Sequence, residues 1–194
     1  MKFASPLLTL SAALAGLITA SAASAAEYNT VVADKSAINF QSKQMGVAVQ
    51  GRFPKFSAQL AFDPAKPEAA KVSMTIDTSA IDAGSKDAND EVVGKQWFNV
   101  KMFPTATFTS STVKALGGNK YEVSGPLSIK GKSQPIKAAV TFKTDGANGI
   151  FDGSFTLKRL DFAIGEGPWA DVDTVANDVQ VNFHVVAAPA AAKK

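Results

Sequence analysis

Apolar side chains at every second position constrain this chain more than any other feature. Eight runs carry the pattern: Ile38-Asn39-Phe40, Val47 to Phe53, Ala58 to Phe62, Val72 to Asp77, Ala106/Phe108, Ile136 to Phe142, Phe151 to Leu157 and Val179 to Val185. A period of two buries one face of a strand and wets the other, which is the antiparallel signature. Asp63-Pro64, Gly117-Gly118-Asn119, Gly131-Lys132 and Asp145-Gly146 supply turns between runs. Short strands at such spacing imply an all-β barrel or sandwich. One interval breaks the rhythm: "SKDANDEVVGKQWFNV", Ser85 to Val100, where Ser85 or Asp87 can cap a short helix presenting Val92, Val93 and Trp97.

The first 26 residues are a different material. Lys2 precedes an apolar stretch from Leu7 to Ile18, and Ala23-Ser24-Ala25 is a small-residue cleavage pattern, so 1–26 reads as a cleaved signal peptide. One barrel-like domain over 27–187 follows, then an Ala-rich tail, 188–194, expected to fray. Without Lys2 the chain has nineteen basic and seventeen acidic side chains, spread without runs, so nothing favours nucleic acid. The absence of Cys in an exported chain leaves the fold to its core and removes thiol chemistry.

Four features compete as sites. Gly165-Glu166-Gly167-Pro168-Trp169-Ala170 fits a dinucleotide fingerprint by letter, but no helix pattern follows it and no parallel sheet surrounds it, so a glycine turn is expected. His184, the single histidine, alternates outward from Val181, Phe183 and Val185, and without a second His or Cys it makes a poor metal site. Asp77, Asp82, Asp87, Asp90 and Glu91 lack the spacing of a calcium loop and read as a solvated surface. Arg159 continues the inward side of its run. It is expected either buried and paired, with Asp161 as partner, or displaced to the rim by a bulge near Leu160. The remaining signal is aromatic: thirteen Phe and two Trp. A sandwich would pack these solid, whereas an eight-strand barrel can enclose a small ligand.

Five segments in order carry a family likeness: "SAINFQSKQMGVAVQGRFPKFSAQLAFD", "MTIDTSAID", "WFNVKMFPTATFTSS", "VSGPLSIKGKSQPIKAAVTF" and "LKRLDFAIGEGPWADVDTVANDVQVNF". Over roughly Tyr28 to Val186 the chain resembles the YceI family of secreted, lipocalin-like proteins. Together with the eight runs, the resemblance implies an extended antiparallel eight-stranded lipocalin-like β-barrel with one short helical segment. It also implies an apolar tunnel for a polyisoprenoid chain, such as a quinone tail or a related lipid. Many members carry His at or beside Gln44, Asp-x-His-Leu where this chain has Asn89 to Val92, and Gly where Ala163 stands, so their polar contacts do not transfer.

The expected function is periplasmic binding and carriage of an apolar isoprenoid lipid in the lumen, with no chemistry, no cofactor and no metal. A monomer or homodimer touching membranes transiently would suffice. Alternation assigns Ile38, Phe40, Val49 and Phe53 to the lumen, with Leu60, Phe62, Met74 and Ile76, and then Phe108, Phe155, Leu157 and Phe183. Trp97, Phe98, Phe162 and Trp169 are assigned to the mouth or plug. The rival readings are a cavity-free interaction module and an enzyme acting on a buried small molecule. If 1–26 is removed on export, N-terminal sequencing of the mature protein will begin at Ala26 or Glu27, and Met1 retained in a membrane fraction will overturn the assignment.

Overall fold

The alternating runs pair into a single curled antiparallel sheet of eleven strands, seen in a computed structural model that describes residues 27–190. The expected signal peptide and residues 191–194 lie outside the described residues. The strands are β1 (Tyr28–Val31), β2 (Ala37–Gln44), β3 (Val47–Arg52), β4 (Phe56–Ala61), β5 (Lys71–Asp77), β6 (Thr105–Thr109), β7 (Thr112–Gly117), β8 (Lys120–Ile129), β9 (Lys132–Asp145), β10 (Asn148–Lys158) and β11 (Asp178–Pro189). The helix α1 spans Lys86–Val92, and its Ser85 hydroxyl accepts the Ala88 N–H as the cap. The sheet runs β3-β2-β11-β10-β9-β8-β6-β5-β4, with β1 beside β11 and β7 beside β8.

The count of eleven corrects the expectation of eight. β1 is only four residues long, and β7 exposes Leu116, so neither shows a clean alternation. β8 contains Gly125 and Pro126, residues that demote a run read from sequence. Pro126 lies opposite Pro135 of β9, so both missing N–H groups fall at one rung. At Gly125 a Cβ would run into the Thr109 carbonyl, and this close approach is where β6 ends and the chain steps over to β7. β11 also continues through Ala188 and Pro189, held by β1, further than the Ala-rich composition suggests.

The two edge strands β3 and β4 are consecutive in the chain, and no ladder joins them among the described residues. Two backbone clasps restrain the curl instead. Tyr28 and Phe62 exchange hydrogen bonds of 2.8 and 3.0 Å, and Arg52 and Asp82 do the same at 2.8 and 3.0 Å.

Inward side chains form two levels along the strands. At one, Tyr28, Phe62, Phe142 and Phe151 pack in edge and tilted contacts, with centroids 5.0 to 6.5 Å apart; each such pair adds about 0.5–1.5 kcal/mol beyond area burial. The other level collects Ile38, Ile76, Phe98, Phe108, Phe162 and Val181. Met74, Val123, Phe155 and Phe183 touch both.

The Arg52–Asp82 clasp also carries a side-chain pair, Nε to Oδ2 at 3.0 Å. The Gly84 N–H, then Arg52, hold the Asp82 carboxyl below its ordinary value. A lowered carboxylate pKa stabilises the fold fully above the ordinary carboxylate range, and that stabilisation is lost as pH falls through the lowered value. Asp82→Asn is therefore expected to lower the Tm near neutrality, with the gap to the parent narrowing only as pH falls below the ordinary carboxylate value of about 4. A gap that stays constant below that value would show that the charge is irrelevant.

Candidate functional site

Between the two levels the inward faces do not meet, and they leave an apolar cavity of about 620 Å³. This lies within the size range of small-ligand sites. Ile38 and Phe40 of β2, Val49 of β3 and the following Phe53 form one part of its wall. Leu60 of β4 with Phe62, Met74 and Ile76 of β5, and Phe108 of β6 form the next. Phe155 and Leu157 of β10 and Phe183 of β11 complete the ring, while Trp97, Phe98 and Trp169 come from the irregular segments at one end. Ser73, beside Met74, is not on the wall, as a strand with period two requires.

Phe162, assigned to the mouth or plug, is not on the wall: it is only 2% exposed and packs in the core with Ile164 and Ile129. The chain leaves the β10 ladder at Lys158 and enters a 3₁₀ turn over Arg159–Phe162, so alternation no longer sets its direction. Sequence reading also missed Val123 and Leu127 of β8, the wall positions Ile136 and Val140 of β9, and the face of α1. The β9 alternation was visible. The α1 signal was the helical spacing of Ser85, Ala88 and Val92.

Arg159 organises the end under α1. It is 2% exposed, and its guanidinium meets no carboxylate in any ion pair among the described residues, which corrects both the expected pairing with Asp161 and the rim alternative. All of its donors go to backbone carbonyls instead. Nε donates to Ala176 at 3.1 Å, Nη1 to Ile164 and Gly165 at 2.9 Å each, and Nη2 to Trp169 at 2.6 Å and Val175 at 2.7 Å. A guanidinium has five N–H groups, so none is left over. Burial lowers its pKa, but the starting value keeps it protonated.

This hub fastens three pieces together. The 159–176 loop wraps the guanidinium, and Gln96, just after α1, accepts the Gly165 and Glu166 N–H groups at 2.9 Å each. The end of β2 joins when the Ala176 N–H donates to the Lys43 carbonyl at 2.9 Å. Trp97 lies under the guanidinium at 5.8 Å and against Trp169 at 5.5 Å.

The glycine pair belongs to this wrapping. Gly165 has φ +77°, and a Cβ there would collide with Nη1 of Arg159. The stretch joins β10 to β11 and forms only a four-residue 3₁₀ turn over Gly167–Ala170, without the helix a pyrophosphate site needs. Ala163 is left-handed at φ +54°, a conformation that favours Gly, and Lys130 Nζ donates to its carbonyl at 2.6 Å.

The remaining candidates have local roles. His184 pairs with Asp152 on the outer face, Nδ1 to Oδ1 at 2.5 Å, and Lys143 lies 3.2 Å from the same carboxylate. Asp77 caps a turn through the Ser79 N–H, and Asp90 pairs with Lys86. Asp87 and Glu91 stand on the rim of the cavity.

A curled antiparallel sheet around an apolar space, with a short helix and an arginine-centred loop at one end, defines a lipocalin-like cavity protein. The sequence profile of the YceI-like domain matches residues 29–187, and the chain belongs to that family. A UPF0312 protein of Pseudomonas aeruginosa is 36% identical over 156 residues, covering 76% of this chain and 81% of the relative. The crystal structure of Burkholderia cenocepacia BcnA is 47% identical with a TM-score of 0.78, covering 80% of this chain and 98% of that one. A polyisoprenoid binding domain from Saccharophagus degradans has the same fold, with TM-score 0.66 at 17% identity over 84% of this chain and 99% of that one.

Arg159→Met leaves five carbonyls without their donor and is expected to cost at least about 3 kcal/mol. Arg159→Lys, with three donors on a flexible stem, should recover only part of that. Denaturant midpoints of the three proteins will test this, and equal midpoints would mean the loop holds itself without the guanidinium.

Proposed function

We propose that the protein binds an apolar isoprenoid lipid, quinone-like or polyprenyl, in its lumen and carries it through the periplasm without chemical change. The observation that carries this reading is the cavity itself, about 620 Å³ walled almost entirely by aliphatic and aromatic side chains. A solid core would fill such a space, so leaving it open gives up packing contacts that a marginally stable domain would otherwise gain. A packing defect of this size would not persist without a use.

Chain length supplies the affinity. Burying each CH₂ contributes about 0.8 kcal/mol relative to water, so a few isoprene units exceed the cost of association. Relative to a bilayer, which is as apolar as the lumen, the net preference is small, and that suits a carrier that loads and unloads. Met45 and Val47 at the β2–β3 turn and Val172 are exposed, and the Met45 N–H donates to the Thr174 carbonyl, so these side chains belong to one region next to the lumen end. They offer an apolar surface for transient membrane contact. A role without chemistry is supported by the placement of the single histidine on the outer face, away from the wall serine Ser42.

The test combines extraction and facing. Mass spectrometry of an organic extract from purified protein should show an isoprenoid lipid. Met74→Arg should abolish the co-purifying lipid, with a stability loss of several kcal/mol eased where the arginine stem reaches water. Ser73→Arg, off the wall, should keep the lipid and shift stability by no more than about 0.5 kcal/mol. A parent protein that never yields lipid, or a Ser73→Arg that loses it while Met74→Arg does not, would overturn the reading.

A further inference from the structure

Most of the cavity wall is fastened to the sheet. Strands hold their own side chains in register, and the Arg159 fork fixes Trp97 and Trp169 at one end. The helix α1 is held differently. Ala88 and Val92 line the cavity, with Ser85 before them, yet no residue of the helix is buried. Among the described residues, no hydrogen bond or ion pair of 85–93 reaches a strand. Ser85 caps Ala88, Lys86 pairs with Asp90, and Asn89 Oδ1 accepts the Ala83 N–H. So short a helix is marginal without outside contacts.

The chain on either side is anchored. Ile81 and Ala83 are buried and Asp82 is bridged to Arg52, while Gln96 accepts two N–H groups from the loop and Phe98 is buried. Gly84, at φ +92°, and Gly94 lie between these anchors and the helix. The seam beside the helix has no ladder. Arg52 turns its backbone groups away from β2 to meet Asp82, so alternation turns those of Ala48 and Gln50 the same way, and among the described residues no hydrogen bond takes them. A Cβ on Gly84 would stand 3.2 Å from the Gln50 carbonyl, so α1 begins against this free edge. Nor does the helix seal the space. Asp87 and Glu91, like charges four residues apart, remain exposed at the rim, and pressing them into apolar surroundings would cost more than Ala88 and Val92 gain.

Taking the lipid-binding reading as given, we propose that α1 is the gate of the lumen. It swings outward about Gly84 and Gly94 while 81–83 and 96–98 stay docked. The apolar chain then enters sideways past the edge of β3, and the end fastened by Arg159 stays shut. Val47 is exposed on that same strand, so the opening shares an element with the apolar surface that meets a membrane. An element held this weakly opens locally while the sheet stays folded.

Hydrogen exchange on the full mature chain without ligand tests the motion. Amides of α1 should exchange at least a hundredfold faster than those at the centre of the β10–β11 ladder, and equal rates would overturn the gate. Stopped-flow uptake and release of diphenylhexatriene, an uncharged polyene, tests the function. Ala88→Gly weakens the helix and should speed both rates about fivefold. The double variant Asp87→Asn/Glu91→Gln removes the charges that resist closure and should slow both several-fold. In each variant the Kd should stay within about twofold of the parent. Rates that do not move in either variant, or a Kd that moves as far as the rates, would overturn the gate while leaving the lumen intact. If diphenylhexatriene does not bind the parent protein, the lumen reading falls and the gate with it. The exchange measurement needs no variant, so a misfolded mutant cannot obscure the outcome.

Discussion

A buried guanidinium must be satisfied, and the way this chain satisfies Arg159 fixes the end of the barrel. No carboxylate was placed there. The chain instead turns back on itself after β10 so that carbonyls from Ile164 to Ala176 converge on one planar fork. Loop carbonyls at a sheet end would otherwise need water or partners of their own, so cation and loop solve each other's problem. Every element near the mouth inherits its position from this arrangement. The segment after α1 docks on Gly165 and Glu166, β2 is pinned through Lys43, and Trp97 lies against the guanidinium with Trp169 packed on it. With no cysteine in the chain, this fork takes the place of a crosslink between the last two strands and the rest of the sheet.

The interior combines packed and open parts. Tyr28, Phe62, Phe142 and Phe151 pack ring to ring at one level, and Phe62 and Phe151 also line the cavity that lies between the two levels. The packing is tightest where the strands are drawn together. The Tyr28–Phe62 clasp pulls β1 against the end of β4 at the aromatic level, while β3 and β4 share no ladder.

Period-two patterning was enough to read most of the sheet and most of the lumen wall, because a strand that keeps its ladder cannot turn a side chain away from its assigned face. Met74 and Phe155 needed nothing more. The pattern failed where the ladder stops. Phe162 and Arg159 lie in a 3₁₀ turn, and their environment is set by carbonyls from a loop whose path no periodicity encodes. β8 was hidden by Gly125 and Pro126, which read as breakers until their neighbours Thr109 and Pro135 are known. Asp161 looked like the partner of Arg159 because charge is visible in a sequence and a carbonyl is not.

The pairing of β1 and β2 with β11 has a consequence for how the molecule comes to exist. Contacts such as the Ser36 hydroxyl with the Val186 N–H join residues separated by 150 positions, and both β1 and β2 pair with the last strand, the twelve-residue β11. Closing so long a loop before any reward is collected slows folding. A chain that emerges N-terminus first therefore waits, with β2 and β3 joined only as a hairpin and their apolar faces bare, until β11 arrives. For that interval it is a client for whatever shields nascent chains, and the last strand to appear sets the clock.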